Sequence, residues 1–224
     1  LVNAFFGNTG KKGFFFNIFS RLSGKITTFA AKLRQQMKYA VIGTGAIGGY
    51  YGAKLARSGQ EIHFLLHSDY DYVKEHGLQV DSCDGSFHLP KVNAYHTTED
   101  MPQVDVVLVC LKSTRNHLLR DLLIALLHKQ TLVVLIQNGI GLEQDVEEIF
   151  PGIQLVAGLA FICSAKTEPG RVNHQCYGHI NFGNYSCHDE QCFNQLIAEF
   201  NEAGIKAGTV TSRSEERFSR NAET

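Results

Sequence analysis

A glycine-rich hexapeptide carries the most specific chemical signal in this 224-residue sequence, and it reads Gly43-Thr44-Gly45-Ala46-Ile47-Gly48. In a G-x-G-x-x-G pattern the first glycine allows a tight turn and the second lets the backbone approach a pyrophosphate. The third lets a helix pack closely on a strand. Backbone N–H groups and the helix dipole then attract the anion without a basic side chain. The pattern predicts a dinucleotide site, and the alternative is a glycine-rich turn without a ligand, which would lower helix stability for no gain.

The end of the second predicted strand indicates which dinucleotide is bound. A cofactor with a free ribose 2′-hydroxyl usually meets Asp or Glu about 20 residues past the fingerprint. Here the strand ends at His67 and Ser68, and the first acid, Asp69, is better placed to begin the next helix. The missing acid favours a 2′-phosphate, hence NADP, with His67 and Ser68 as its partners. The alternative for His67 is a solvated turn histidine, because histidine is a less certain phosphate ligand than arginine.

Two polar residues close apolar runs further along the chain. Lys112 follows the run 104–111 (VDVVLVCL), and Asn138 follows the run 131–136 after Gln137. Ligands of open parallel sheets bind beyond the carboxyl ends of the strands, so both residues are candidate binding residues. The alternative for Lys112 is an amine that only extends to solvent.

The elements that must position these residues alternate between strand and helix. Strands are predicted at 38–43, 61–66, 104–111, 131–136, 154–161 and 205–210, and helices at 46–58, 69–76, 113–127, 141–150 and 189–203. A hairpin of 78–82 and 86–92 is predicted around Asp84-Gly85, and 171–176 and 178–184 are predicted to pair antiparallel. The alternation predicts an α/β fold with a Rossmann-like doubly wound, mainly parallel sheet.

Composition excludes several classes of protein. Hydrophobic residues make up 44% and charged residues 19% of the chain, which is typical of a globular protein. The longest apolar runs fall far short of the roughly 18 residues that span a membrane. Residues 37–212 hold 12 basic and 19 acidic residues, a net charge of −7, which argues against nucleic acid as a partner. Six cysteines without a CxxC pair indicate free thiols in a reducing compartment.

Both ends of the chain differ from the middle. Residues 1–36 lack an initial methionine, are rich in Phe and contain six basic residues but no acid. We expect a non-native or disordered leader there, or alternatively a transit peptide. Residues 213–224 can be back-translated into a string that resembles a sequencing-library adapter, so we expect a non-native tail. The expected dinucleotide-binding domain is therefore 37–212.

Two further signals are interpreted as structural. Six potential metal ligands crowd together without regular spacing: His174, Cys176, His179, Cys187, His188 and Cys192. Zinc sites usually show paired ligands at fixed spacing, so no metal site is predicted. Cys163 lies near the expected cleft, but without an orienting base it is interpreted as a small buried hydrophobic residue.

Three local signatures occur together: the fingerprint at 43–48, Leu111-Lys112, and Gln137-Asn138-Gly139. From residue 37 to about residue 210 the chain thereby resembles the ketopantoate reductase (2-dehydropantoate 2-reductase) family. The resemblance implies an N-terminal Rossmann domain followed by a helical domain. It also implies NADPH-dependent reduction of ketopantoate to (R)-pantoate, on the route to pantothenate and coenzyme A.

The resemblance also assigns roles to individual residues. Residues 43–48 would cradle the pyrophosphate, Lys112 would lie along the cofactor near its reactive end, and Asn138 would touch the nicotinamide ribose and the substrate. Ser164 would make a further cofactor contact. The family usually carries Arg where this chain has His67, so NADP preference rests on a weaker residue here.

The catalytic residues implied by the resemblance belong to the helical domain, namely a general-acid lysine and a substrate-binding glutamate. No catalytic residue is therefore assigned in this chain, and the chain alone is expected to be inactive. The alternatives are another two-domain hydroxyacid dehydrogenase or a non-catalytic NAD(P)-sensing module. The expected partner is a small keto acid, with a homodimer possible in the complete protein. The expected compartment is the cytoplasm, or a plastid or mitochondrion if 1–36 is a transit peptide.

Overall fold

The computed structural model describes residues 36–139 and 141–210. Within them ten strands form one sheet. The strands are β1 (Lys38–Ile42), β2 (Glu61–Leu65), β3 (Leu78–Ser82), β4 (Phe87–Leu89), β5 (Asn93–Tyr95), β6 (Val106–Val109), β7 (Leu132–Leu135), β8 (Gln154–Glu168), β9 (Arg171–Asn184) and β10 (Ala207–Val210). The α-helices are α1 (Ala46–Arg57), α2 (Tyr70–His76), α3 (Leu119–Ile124), α4 (Leu142–Ile149) and α5 (Glu190–Glu202), and a 3₁₀ helix spans Ser113–Leu118. The expected tail and, apart from Gln36, the expected leader lie outside the described residues.

The sheet is mostly parallel, with strand order β4-β3-β9-β8-β7-β6-β1-β2-β5 and β10 paired to β9. Only β3–β4 and β8–β9 pair antiparallel among the described strands. Six of the nine described strand pairings join strands that are consecutive in the chain, and helices make the crossover between consecutive parallel strands such as β6 and β7. The prediction of a doubly wound, mainly parallel α/β sheet is confirmed.

Helices cover both faces of the sheet. Along β1, Tyr39 and Val41 pack in the apolar cluster that contains α1 and α5, whereas Ala40 and Ile42 pack in the cluster that contains α3 and α4. Strands β6 and β7 are buried at every position. Burial on both faces explains why their sequences are apolar runs rather than alternating patterns.

The prediction for 171–184 was wrong in its pairing. These residues form the single strand β9, whose antiparallel partner is β8. Strand β8 itself continues past the predicted end at 161 as far as Glu168. Gly178, with φ +102°, and Tyr177, with φ +67°, form an irregularity in which β9 bends without ending. A β-bulge inserts an extra residue into a strand that continues. Its glycine resembles the glycine of a turn, so the sequence of one strand was interpreted as two.

Two smaller predictions also differ from the structure. The helix predicted at 113–127 begins as the 3₁₀ helix and ends at Ile124 in α3, and Lys112 takes its N-cap position without a side-chain cap. Strand β5 was not predicted, because its three residues are too few to show a periodic pattern.

No helix within 36–139 or 141–210 has both the length and the apolarity that crossing a membrane requires.

Candidate functional site

The fingerprint turn joins β1 to α1 against the end of β6. Gly43 has φ +97°, and its carbonyl accepts a 2.8 Å hydrogen bond from the Gly45 N–H. A Cβ on Gly43 would lie 2.7 Å from the backbone nitrogen of Leu111. Both the left-handed backbone and the neighbouring strand therefore require glycine at this position.

The other two fingerprint glycines meet opposite surroundings. A Cβ on Gly48 would collide with the Gly43 carbonyl and lie 2.8 Å from Cγ1 of Val41. A Cβ on Gly45 would meet nothing within 4 Å. Gly48 is therefore needed for helix–strand packing, whereas the fold itself does not require glycine at Gly45. A backbone left bare at an open surface is a place where a ligand can approach closely.

The first turn of α1 offers unshielded N–H groups at this open surface. Gly45 occupies the N-cap position and brings no side chain to it, and the first turn contains no acidic residue. The leading N–H groups of a helix lack intrahelical partners, and the helix dipole adds positive potential there. The arrangement can hold a phosphate or pyrophosphate with backbone atoms alone.

The end of β2 is tied to the fingerprint. The Thr44 hydroxyl donates to the Leu65 carbonyl at 2.9 Å, so the turn and the end of β2 are held together. His67 follows two residues later and is exposed. Its ring centroid lies 6.2 Å from that of His96, which directly follows β5. Two imidazoles therefore lie together beyond the carboxyl ends of neighbouring parallel strands.

His96 could not be identified as a site residue from the sequence, because its position depends on the unpredicted strand β5.

Asp69 has a clear structural role. Its carboxylate is 5% exposed, accepts from the Lys166 amine at 2.6 Å and accepts from the Gly170 N–H at 3.2 Å. Asp69 holds the position before α2, as expected, but its carboxylate joins that helix to the turn between β8 and β9.

Lys112 and Asn138 follow the adjacent parallel strands β6 and β7 and are both exposed. Gln137, which directly precedes Asn138, is almost fully buried. Its amide Nε2 donates at 2.8 Å both to the Leu111 carbonyl and to Oδ1 of Asn116. Gln137 thus connects the ends of both strands with the 3₁₀ helix. Gln137 is part of the Gln137-Asn138-Gly139 motif, but its role depends on contacts that the sequence does not reveal.

A small cleft connects Asn138 with the fingerprint. Its volume is about 120 Å³, and its lining includes Ile47 of α1, Ile136 and Asn138 after β7, and Ile162 of β8. Ser164 lies two residues beyond Ile162, and its hydroxyl donates to the Ala46 carbonyl at 3.4 Å. The structure therefore brings Asn138 and Ser164, which are distant in sequence, to the first turn of α1.

The thiol nearest the packed side of the fingerprint does not contribute chemistry. A Cβ on Gly48 would lie 3.1 Å from Cβ of Cys110. Burial raises the pKa of the Cys110 thiol to about 12. Since the thiolate is the reactive form, Cys110 serves as a packing residue.

Among the crowded histidines and cysteines, only His174 lies in a group of three potential ligands within the described ranges. Its partners are Cys83 and Asp84, and the ligand atoms of all three lie within 4.8 Å of one another. The Cys83 and Asp84 side chains are exposed at the β3–β4 turn. Nδ1 of His174 already lies 2.8 Å from the Ser82 hydroxyl, a contact that orients the ring.

Comparison with known proteins agrees with this geometry. The family model described as "Ketopantoate reductase PanE/ApbA" matches residues 39–186. The match covers both the fingerprint turn and the cleft. The chain belongs to the ketopantoate reductase family. It is therefore related to oxidoreductases.

Individual relatives support the family assignment. The 2-dehydropantoate 2-reductase of Nostoc sp. is 49% identical over 151 residues, which are 67% of this chain and 47% of that protein. The structure of 2-dehydropantoate 2-reductase from Geobacter metallireducens is similar with a TM-score of 0.74 and 38% identity, over 77% of this chain and 57% of that one. D-mandelate dehydrogenase in complex with NADH and anilino(oxo)acetate has a TM-score of 0.68 and 25% identity, over 78% of this chain and 57% of that one. The chain spans about half the length of the curated relatives it matches.

Proposed function

We propose that this chain is the cofactor-binding part of an NADPH-dependent ketopantoate reductase. The complete enzyme reduces ketopantoate to (R)-pantoate, which leads to pantothenate and coenzyme A. The observation that carries the proposal is the open first turn of α1, where Gly45 leaves the backbone bare beside the cleft that Asn138 lines. Membership of the reductase family supplies the reaction class.

The residues at 43–48 fit a dinucleotide because of their backbone. The N–H groups of the first turn of α1 bind the pyrophosphate, and the space beside Gly45 lets it approach within hydrogen-bonding distance. Thr44 does not contribute its hydroxyl, since that group holds the Leu65 carbonyl. Ser164 steadies the turn through the Ala46 carbonyl.

The imidazoles of His67 and His96 suit the adenosine end of NADPH. Both follow parallel strands next to the turn, and neither strand end presents a carboxylate to a ribose 2′-hydroxyl, because Asp69 pairs with Lys166. Two imidazoles can share the hydrogen bonds and the charge of a 2′-phosphate. Two histidines together can bind the 2′-phosphate more strongly than a single histidine, which is a weaker phosphate ligand than arginine.

The nicotinamide end is assigned to the cleft beside Ile47. When bound, the cofactor supplies a hydride to the ketone carbon. The Asn138 amide can donate to a ribose or substrate oxygen at the cleft, and apolar neighbours such as Ile136 and Ile162 exclude water from it. The Lys112 amine at the adjacent strand end attracts the anionic cofactor and keto acid. In this proposal the ketone oxygen takes its proton from a group of the complete enzyme that is not assigned among the residues of this chain.

A second candidate function is the reduction of another 2-keto acid with NADH. It is favoured by the similarity to D-mandelate dehydrogenase, whose structure contains NADH. The two candidates differ at the adenosine end and in the keto acid, so they can be separated by the same set of binding measurements.

Calorimetric titration of the purified chain with NADPH and with NADH tests the proposal. We expect NADPH to bind at least tenfold more tightly, a difference of about 1.4 kcal/mol. Tighter binding of NADH would favour the second candidate. Binding of neither dinucleotide would contradict the proposed function, provided that circular dichroism shows a folded chain.

A further inference from the structure

Cys163 and Cys176 lie directly opposite each other on the antiparallel strands β8 and β9. Directly opposed residues in such a pair have Cα atoms about 4.5–5.5 Å apart. Disulfides span Cα separations of about 4.4–6.8 Å. The two cysteines can therefore be bridged with little backbone movement.

The side chains of this pair already interact and are accessible. The pKa of the Cys176 thiol is raised above its ordinary value, and the largest cause is a hydrogen bond with the Cys163 thiol. Cys163 is exposed, so its interpretation as a buried hydrophobic residue was wrong, and Cys176 is partly exposed. By contrast, burial raises the pKa of the Cys110 and Cys192 thiols to about 12. Cys163 and Cys176 are thus positioned for reaction with a solute, which Cys110 and Cys192 are not.

The backbone around the pair is irregular on both sides. The β8–β9 register shifts between Phe161 and Ile162 and again between Cys163 and Ser164. Tyr177, next to Cys176, has φ +67° and is the one non-glycine residue with positive φ among those described. Disulfides in strained and exposed positions are the ones that are reduced readily. A bond formed here would accordingly be reversible.

We propose that Cys163 and Cys176 form a reversible disulfide by exchange with a small-molecule disulfide such as oxidised glutathione. The oxidised form holds the dinucleotide less tightly than the dithiol form. The second statement rests on the proposed function, whereas the first depends on the thiol geometry alone.

The exchange has two balanced steps. The more exposed Cys163 thiolate attacks the small disulfide, a mixed disulfide forms and one glutathione thiolate leaves. Sγ of Cys176, deprotonated as it attacks, then displaces the second glutathione from Cys163. Two protein thiols are oxidised, one disulfide is reduced to two thiols, and each departing thiolate takes up one of the released protons.

The link to the cofactor runs through the residue after Cys163. Cβ atoms of opposed residues lie about 4.5–5.5 Å apart, but a disulfide draws them to about 3.8 Å, a contraction of about 1 Å. Ser164 holds the Ala46 carbonyl through a contact that is already 3.4 Å long. Drawing Cys163 toward β9 breaks this contact and loosens the first turn of α1, where the pyrophosphate binds.

Thiol titration and mass mapping after treatment of the full chain with oxidised glutathione test the pair. We expect the loss of two thiols and a Cys163–Cys176 crosslink, which dithiothreitol reverses. Cys163→Ser and Cys176→Ser should each abolish the crosslink. Cys83→Ser should not, and it is the matched control because Cys83 is exposed and lies close enough to Cys176 to act on its thiol. A crosslink through Cys83, or glutathione retained as a stable mixed disulfide, would overturn the proposal.

Calorimetry on the same samples tests the coupling. We expect the NADPH dissociation constant to rise at least about fivefold on oxidation and to return on reduction. The Cys176→Ser variant should show no change after the same treatment. An unchanged dissociation constant despite a complete crosslink would overturn the coupling. Failure of the reduced chain to bind NADPH would contradict the proposed function, but it would not affect the conclusion drawn from the crosslink.

Discussion

Two glycines of the fingerprint should respond oppositely to one added methyl group. Gly48→Ala places a Cβ against the Gly43 carbonyl and Val41, and overpacking of this kind costs about 1–3 kcal/mol of unfolding free energy. Gly45→Ala points its methyl group into open space, so the unfolding free energy should change by less than about 0.5 kcal/mol. The same methyl group blocks the approach of a pyrophosphate, and NADPH affinity should fall at least tenfold. Urea denaturation and calorimetry measure the two quantities.

Each variant of this pair is the control for the other. If Gly45→Ala bound NADPH as well as the unchanged chain, the open surface beside Gly45 would not be the phosphate site. If Gly48→Ala were as stable as the unchanged chain, the close packing of α1 on β1 would be more adaptable than the distances indicate.

His67 and His96 are expected to set the preference for NADPH. His67→Ala and His96→Ala should each raise the NADPH dissociation constant about tenfold, because a hydrogen bond to a charged group contributes about 1.5 kcal/mol or more. Neither variant should change NADH binding, and His67→Arg should strengthen NADPH binding because the guanidinium is always charged. His188→Ala, exposed before α5, is the matched control. Equal losses for NADPH and NADH would show that the imidazoles do not contact a 2′-phosphate.

Asn138 and Lys112 should affect different kinetic quantities in the complete enzyme. Asn138→Ala should lower kcat/KM for the keto acid about 10–100-fold, since small misplacements of reacting groups are costly. Lys112→Ala should act mainly on KM for NADPH. Lys129→Ala, an exposed lysine before β7, is the control. Steady-state kinetics of the three variants separate these effects, and unchanged values for both site variants would place the cleft elsewhere.

The elements outside the site are joined by a few buried polar contacts. Asp69→Ala removes the acceptor of both the Lys166 amine and the Gly170 N–H, and it should cost about 1–3 kcal/mol of unfolding free energy. Asp71→Ala, exposed on α2, should cost much less. Thermal denaturation compares the two variants. If they were equally stable, the ion pair would not contribute to joining α2 to the β8–β9 turn.

What could be predicted from the sequence depended on how local the signal was. The fingerprint turn and the apolar strands β6 and β7 were predictable, because a glycine pattern and a doubly buried strand each have a short-range signature. His96 was missed since β5 is too short to show one. The Cys163–Cys176 pair was missed since the bulge at Tyr177 made one strand resemble two. Both errors arise where pairing with a distant strand, rather than local preference, determines the structure.

For the molecule as a whole, we expect NADPH binding without appreciable reduction of ketopantoate. The 224-residue chain should bind NADPH but show no appreciable reduction of ketopantoate beside a full-length relative such as the Nostoc enzyme, because the loss of general acid catalysis alone lowers the rate about 10²–10⁴-fold. The resemblance to the family assigns the acid to a helical domain. The rate of NADPH oxidation in the presence of ketopantoate, followed by the change in absorbance of the reduced nicotinamide, measures this difference. Turnover close to that of the relative would place the proton donor within the present chain.

The order of strands in the sheet has a consequence for how the chain is made. Strand β9 lies between β3 and β8, and the Asp81–Arg171 ion pair joins residues 90 positions apart. During synthesis β1, β2, β6 and β7 can assemble early, while β3 and β4 wait for a partner that the ribosome has not yet produced. Parallel pairing over so long a separation forms slowly. Until it does, the edge of β3 stays open to other chains, so arrest of translation before β9 should produce aggregates rather than a smaller folded domain.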